Sequence, residues 1–443
     1  MNLKISTKLL MMLAMMAGGA FKAEAQQVIS LQKAVDLALA NNLTIKQSQY
    51  TEALAAEDVN QSKYNLLPGI NANAQGGYYF GKTQVAGAFA YSTQTFNASG
   101  NLSAQITLFQ GGQLHNQILQ NKLILDADKT GTAKVKNDLV LNVVTDYLAI
   151  LTNQDLVTAA KQQIEIARIT LDRTQKSFDA GSLSLADLSQ SKAGLSTAEL
   201  NLTNTQNQLN LSILILKQYM EMDPKTDIVV ERPDISKLTD IKTAYDANEV
   251  INTAFGVNPD VHLAEQNQAI YQQAIKIAQG NYYPTVALTG GAASSYSNQI
   301  PQAFSKQFFT SNFNQFIGLN VQIPIFNKFS ARTAVRKAKL SFENAQVSTQ
   351  LAKNNLSKTI IQAVFDLNAA VKRYSSTQQT YAADKDAFNI IQERYNVGLV
   401  NSLDYNTALT NVNKAENDMI ESKYEVVFRS KVIDYYLGNQ ISL

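Results

Sequence analysis

From Leu31 to Tyr64 apolar residues fall at helical spacing, with Leu31, Ala34, Val35, Ala38 and Leu39 on one face. Asn41-Asn42 interrupts the pattern and predicts two helices, the second over Leu43–Tyr64, until Pro68-Gly69 ends it. Past that break the period changes from 3.6 to 2. Ile70, Ala72 and Ala74 alternate with Asn71, Asn73 and Gln75, and Tyr78, Tyr79 and Phe80 follow. A loop is expected around Lys82–Thr95. Leu102, Ala104, Ile106 and Leu108 then alternate with Ser103, Gln105 and Thr107. One face is apolar and the other is polar without charge. Alternation alone would also suit a soluble sandwich. Strands of about ten residues with aromatic flanks match the dyad pattern of an outer-membrane strand.

The helical period returns from about Gly112 to Phe178, a stretch without proline whose one later glycine is Gly131. A helix of that length measures roughly 100 Å at ~1.5 Å per residue. Leu139, Val143, Asp146, Tyr147 and Ile150 mark a mixed heptad. A return helix is expected over Ser184–Met220, with Leu195, Leu202, Leu209, Leu211 and Leu216 along it. Such helices are too long for an ordinary globule and must pack as antiparallel coiled coil.

The whole plan then recurs. Asn258-Pro259-Asp260 opens a helix through Ile277, Thr285–Ser297 reads as a strand, and Asn298–Asn312 as a loop. Ile317, Leu319, Val321, Ile323 and Ile325 alternate with Gly318, Asn320 and Gln322. A second long helix is expected from about Ala331 to Tyr395, and its return over Ser402–Leu437, before Gly438. The tips carry the register: 217 positions separate Gly181 from Gly398, and the same 217 separate Asp187 from Asp404. A glycine after a helical run takes the left-handed conformation that ends the helix. Ser184 and Asn401 are N-cap residues, with Asp187 and Asp404 three positions on, so a capping box is expected at both returns.

Organisation follows from this repeat and from the N-terminus. Lys4 and Lys8, the apolar stretch Leu9–Phe21 and the small-x-small site Ala23-Glu24-Ala25 read as a signal peptide over 1–25. The first structural repeat covers 26–221, with a β-hairpin at about 69–110 and its tip at Gly181. A composition shift at 222–252, with Pro224, Pro233 and the run Ile228-Val229-Val230, reads as a linker or insert. The second repeat covers 253–443, with a hairpin at about 284–326 and its tip at Gly398.

Composition excludes more than it assigns. Among 443 residues there is no cysteine, so disulfides, zinc–thiolate sites and a Cys-linked lipid are excluded. Basic and acidic residues balance at 38 against 36, which leaves no polyanion footprint for a nucleic acid. His115 and His262 are isolated, without metal-ligand spacing. Nucleotide-binding and hydrolase motifs are missing, so neither cofactor nor catalytic residue is expected. Four membrane-length strands cannot close a barrel alone, since about eight strands are the smallest such barrel and open edges are not tolerated in lipid. The barrel must be shared between subunits, while the long helices project into water.

The twin tip motifs, the strand ends Gln105-Ile106-Thr107-Leu108-Phe109 and Gln322-Ile323-Pro324-Ile325-Phe326, and the tandem repeat together resemble the TolC-like outer-membrane efflux proteins. The resemblance covers nearly the whole mature length. It implies a mainly α fold with a small transmembrane β part, in which a homotrimer closes a 12-stranded barrel above a tunnel of antiparallel coiled-coil helices. It implies a passive exit duct in the outer membrane of a Gram-negative cell, served by an inner-membrane pump through a periplasmic adaptor. The entrance would lie at the tips: Asp404 as a carboxylate ring, Asp187 and Tyr395 as a latch between hairpins, and Thr407 where some relatives carry a second acidic ring. Val400 stands where an arginine often supports that latch. Gly181, Leu183, Gly398, Leu399 and Val400 would meet the adaptor. For Asp404 helix capping is the alternative role, and for Tyr395 ordinary packing against the next coiled coil. A coiled-coil envelope tether or adhesin is the alternative function, which leaves the alternating strands unexplained.

Overall fold

The computed structural model describes residues 27–85, 88–233 and 241–439; the expected signal peptide lies outside the described residues. Elements follow in the order β1 (Gln27–Ile29), α1 (Leu31–Asn41), α2 (Leu43–Tyr64), β2 (Gly69–Val85), β3 (Ala88–Gln110), α3 (Gln113–Asp179) and α4 (Leu185–Tyr219). After these come β4 (Ile228–Val230), α5 (Ala247–Val257), α6 (Pro259–Gln279), β5 (Thr285–Ser297), β6 (Asn314–Gln322), α7 (Ser330–Asn396) and α8 (Ser402–Leu437). The fold is mainly α with one small antiparallel sheet. Among the described residues, no helix is long and apolar enough to cross a membrane.

Two compact units divide the chain, with boundaries near 43, 136, 247 and 361. One unit holds the sheet, whose order is β2-β3-β5-β6, antiparallel throughout. Register decides which residues share a face. Ala72 pairs with Leu102 and Leu102 with Ala292, while Leu288 pairs with both Ile106 and Leu319. Ile70, Leu102, Leu288 and Leu319 therefore stand on one apolar face, and Asn71, Ser103, Thr289 and Asn320 on the other. Ile317 and Leu319 are exposed at 80% and 61%, a large apolar surface left open to solvent in a single chain.

Three expectations need correction here. Of the loop expected at Lys82–Thr95, residues 86–87 lie outside the described residues and the rest is instead strand: β2 runs to Val85 and β3 starts at Ala88, with a bulge between Tyr79 and Gly81. The backbone ladder continues with Thr95 opposite Tyr79 and Tyr91 opposite Lys82, which the clustered polar residues of the sequence had obscured. Residues 298–312 are not plain loop, because Phe304–Lys306 makes one helical turn and Gln307–Ser311 a π-turn. Finally β6 stops at Gln322, short of Ile323 and Ile325, since Pro324 has no N–H to continue a ladder.

Strand-to-helix corners expose the repeat at backbone level. Gly111 and Gly112 end β3 with φ of 57° and 75°. A Cβ on Gly111 would stand 2.4 Å from the Gly280 carbonyl oxygen, so only glycine fits. Lys328 and Phe329, 217 positions later, hold the same left-handed backbone at φ 55° and 60° without glycine. That conformation costs a non-glycine residue roughly 1–2 kcal/mol. Amide side chains, more than an apolar seam, join the helices of this unit. Gln273 donates to the Asn116 side-chain oxygen (2.8 Å) and Gln120 to the Ile270 carbonyl (3.3 Å). Ser48 and Thr132 hydroxyls meet at 3.0 Å. The abundance of Asn and Gln thus serves helix pairing as well as solvation.

The other unit contains the denser core. Val143, Val144, Tyr147, Ile150 and Leu151 of α3, with Leu216 and Ile433, are at most 1% exposed. Full burial of each such side chain contributes about 1.5–3 kcal/mol. β1 pairs in parallel with β4, Val28 opposite Val229. The Tyr147 hydroxyl donates to the Glu231 carbonyl (2.7 Å) and shares its proton more weakly with that of Ile29 (3.3 Å), which ties both strands to α3. Arg232 pairs with Asp155, which also accepts from the Tyr424 hydroxyl at 2.8 Å. This part of the 222–252 segment is therefore fastened to α3 and α8, while α5 begins within that segment at Ala247.

Candidate functional site at the helical tips

Both tips end their long helices by the same hydrogen-bond motif. At the first, the Gly181 N–H donates to the Phe178 carbonyl (2.8 Å) and the Ser182 N–H to that of Ser177 (2.9 Å). At the second, Gly398 donates to Tyr395 (3.1 Å) and Leu399 to Arg394 (2.9 Å). This 5→2 and 6→1 pairing requires a left-handed residue, and φ is 75° at Gly181 and 78° at Gly398. No heavy atom lies within 4 Å of a Cβ built on either glycine. Backbone conformation, not crowding, selects glycine at both tips.

The two returning helices begin differently. At α4 the capping box is complete: the Asp187 N–H donates to Ser184 Oγ (3.3 Å), and Asp187 Oδ2 accepts from the Ser184 N–H (3.1 Å). At α8 the Asp404 N–H donates to Asn401 Oδ1 (2.8 Å), but the Asp404 carboxylate does not return the bond. The expected second capping box is therefore only half formed. Among the described residues, Asp404 makes no ion pair and its carboxylate is exposed. An Asn cap already satisfies the helix end, so the aspartate side chain is left to water.

Asp187 is committed elsewhere as well. Its Oδ1 accepts from the Ser402 hydroxyl at the start of α8. The Ser184 hydroxyl, then that of Ser402, hold the Asp187 carboxyl below the usual carboxylate range. Tyr395 stacks on Tyr405 with ring centroids 4.6 Å apart, and Phe388 lies 5.6 Å from the same ring. Tyr405 is 3% exposed, and its hydroxyl meets Thr170 Oγ1 of α3 at 3.0 Å. Arg173 donates to the Asn396 side chain. The tips of the two hairpins are thus clasped within one chain by three polar contacts. Sequence reasoning named Asp187 and Tyr395 but missed Thr170, Arg173, Asn396 and Ser402. Tyr405 closes the tip motif and could have been suspected; nothing local marks Thr170.

The remaining tip residues are placed as follows. Leu399 and Leu403 are exposed at 67% and 69%, Leu183 and Val400 are half-buried, and the exposed Thr407 donates to the Leu403 carbonyl (2.8 Å). Behind the tips, a groove of about 590 Å³ opens between α4 and α8, lined by Gln163, Ser191, Gly194, Thr410 and Asn413 among others. Burial, then Asp418, then Glu425, raise the Glu421 carboxyl at its far end. No group of three or more acidic or histidine ligands occurs among the described residues, and the His262 ring meets the Gly256 carbonyl at 3.0 Å.

Comparison with known proteins places this arrangement. The family model described as outer membrane efflux protein matches residues 34–220 and 250–439. The chain belongs to that family. Each matched block contains one of the two tips, Gly181 in the first and Gly398 in the second. The outer membrane protein TolC of Salmonella enteritidis is 24% identical over 421 residues, 93% of this chain and 82% of its own length. A probable efflux pump outer membrane protein, TtgC of Pseudomonas putida, is 22% identical over 88% of this chain and 79% of its own. Among solved structures, CusC superposes with a TM-score of 0.78 at 17% identity, over 93% of this chain and 92% of that one. The open state of the Neisseria gonorrhoeae MtrE outer membrane channel gives 0.70 at 17% identity, over 92% and 89%.

Proposed function

We propose that this chain is the outer-membrane exit duct of a tripartite efflux or type I secretion system in a Gram-negative cell. The observation that carries the reading is the sheet: four antiparallel strands with an apolar outer face and two unpaired edges, β2 and β6. An edge exposed to lipid leaves a row of N–H and C=O groups without partners, each costing several kcal/mol. Three copies joined edge to edge, β6 of one to β2 of the next, give a closed 12-stranded barrel. The chain then works as a homotrimer, and the helical hairpins continue the passage into the periplasm. The uncharged polar face with Asn71, Ser103 and Asn320 lines the bore, and the apolar face meets outer-membrane lipid.

Conduction is passive, with no nucleotide-binding motif in the sequence to power it. An inner-membrane pump supplies energy and cargo, and a periplasmic adaptor engages the tips around Gly181, Leu183, Gly398, Leu399 and Val400. The entrance is narrowed by Asp404. Threefold symmetry turns its uncommitted carboxylate into a ring that attracts cations. Asp187 and Tyr395 act differently, holding the hairpins closed through Ser402 and Tyr405. Thr407, one turn further along α8, adds no charge, so the ring is single. The half-formed cap supports the ring role over the capping role for Asp404.

Planar-bilayer conductance of the purified protein tests this reading. Small cation-selective openings, blocked by divalent cations added from the tip side, are expected. A protein that remains monomeric in detergent and never conducts, even with Asp187→Ala to loosen the clasp, would instead favour a tether.

A further inference from the structure

The connection between β5 and β6 folds back over the sheet rather than extending from it. Residues 285–326 contain no Asp or Glu, and Lys306 is their one charged residue. The register puts Gly100, Ser294 and Tyr296 on the apolar face with Leu102 and Ile317. A Cβ on Gly100 would meet the Phe308 ring at 3.1 Å, so this ring lies over the apolar face. Tyr296 packs edge-on against Phe304 at 5.1 Å, and Phe304 stacks on Phe308 at 5.1 Å.

A buried glutamine holds the fold of this connection. Gln307 is 0% exposed. The two N–H groups of its Nε2 are shared among the carbonyls of Ser297 (3.1 Å), Ile300 (3.1 Å) and Gln302 (2.9 Å), and its Oε1 accepts from the Ser297 N–H (3.0 Å). Asn312 Nδ2 donates to the Ser295 carbonyl at 2.7 Å, which closes the far end. These bonds form a cradle that holds the connection against the sheet. Its effect is to present Phe304, Phe309 and Phe313 outward, at 47%, 68% and 48% exposure.

From this geometry we propose that residues 304–313 form a membrane-surface anchor, seated in the headgroup–acyl boundary of the outer leaflet. The inference rests on the exit-duct reading and deepens it. Lipid is the occupant because the segment lies over the apolar face of the sheet, at the end of the strands opposite the helices. Phenylalanines on the apolar side of a surface-lying segment seat roughly 5–10 Å into the headgroup–acyl boundary. Lys306 places one cation beside the rings, suited to lipid phosphate. The anchor would set the depth at which the barrel sits.

The chain has no tryptophan, so single substitutions make clean reporters. Full-length Phe309→Trp and Leu319→Trp proteins are reconstituted in phosphatidylcholine vesicles brominated either near the headgroup or deep in the acyl chain. Quenching of Phe309→Trp is expected to be about twofold stronger with the shallow label than with the deep one, because aromatic anchors lie at the interface. Leu319→Trp, in the middle of β6, is expected to show the reverse order. Leu319→Trp quenched by lipid while Phe309→Trp responds only to aqueous acrylamide would overturn the anchor and leave the barrel standing. Lipid quenching of neither would overturn the barrel reading, and the anchor with it.

Discussion

Replacing Asp146 by Asn should flatten the pH dependence of stability. Asp146 is 9% exposed on α3, one turn from Val143 and from Ile150, both fully buried. Its Oδ2 is buried without a hydrogen-bond partner. Burial alone pushes this carboxyl up to about 7 from an ordinary 3.8. The folded chain therefore keeps a proton that the unfolded chain releases between about pH 4 and pH 7. Stability from this group is complete below the unfolded pKa and is lost as pH rises through the folded one. A shift of roughly three units corresponds to ~4 kcal/mol, and residual solvent contact reduces this to roughly 2–4 kcal/mol. Asparagine has nearly the same shape and no proton to lose. Urea unfolding in detergent, followed by helical circular dichroism from pH 4 to pH 8, reads the difference. The parent protein should lose about 2–4 kcal/mol more than Asp146→Asn across that window. Other carboxylates titrate equally in both proteins and cancel. Parallel pH profiles would refute the reasoning, and so would an infrared difference spectrum at pH 6 without a protonated carboxyl band assignable to Asp146.

Four further outcomes are expected. Asp404→Ala should abolish divalent block of conductance in planar bilayers while leaving helix stability within about 0.5 kcal/mol, because Asn401 already caps α8. Asp187→Ala should do the opposite: it removes a complete capping box and the bond from Ser402, costing about 1–2 kcal/mol in denaturant unfolding and raising spontaneous opening. Tyr405→Phe and Thr170→Val should each destabilise by about 1 kcal/mol, and a double-mutant cycle should show coupling of similar size; additivity would dissolve the clasp. Lys328→Gly should stabilise by about 0.5–1 kcal/mol, since an exposed lysine at φ 55° gives way to a residue that adopts this backbone freely. An unchanged or lower unfolding midpoint would show that the corner is not strained.

Much of this molecule is written locally. The change of period at Pro68-Gly69 separates helix from strand because side chains alternate at two residues in one and 3.6 in the other. Gly181 and Gly398 mark the tips because a Schellman ending needs a left-handed residue, and the 217-position spacing joins the two copies. The expected loop at Lys82–Thr95 failed for a related reason. A polar strand and a polar loop have nearly the same composition, and only pairing with β2 distinguishes them. Likewise, Val28 and Ile29 were too few to announce β1, whose partner β4 lies some 200 residues along the chain.

At the tips the division is sharpest. The sequence by itself determined the two glycines, the caps and the positions of Asp187 and Asp404, since each depends on neighbours within six residues. Its local capping pattern presented the two aspartates as equivalent. Tertiary structure alone made them different: Ser402 reaches Asp187 across 215 positions, and Thr170 reaches Tyr405 across 235. It also decided that residues 298–312 turn back over the apolar face, and that Asp146 is shut away from water. Local pattern records backbone preference and which side of an element is apolar. The protonation, partnership and exposure of a polar group depend on what packs against it, and for these residues that neighbour comes from another part of the chain.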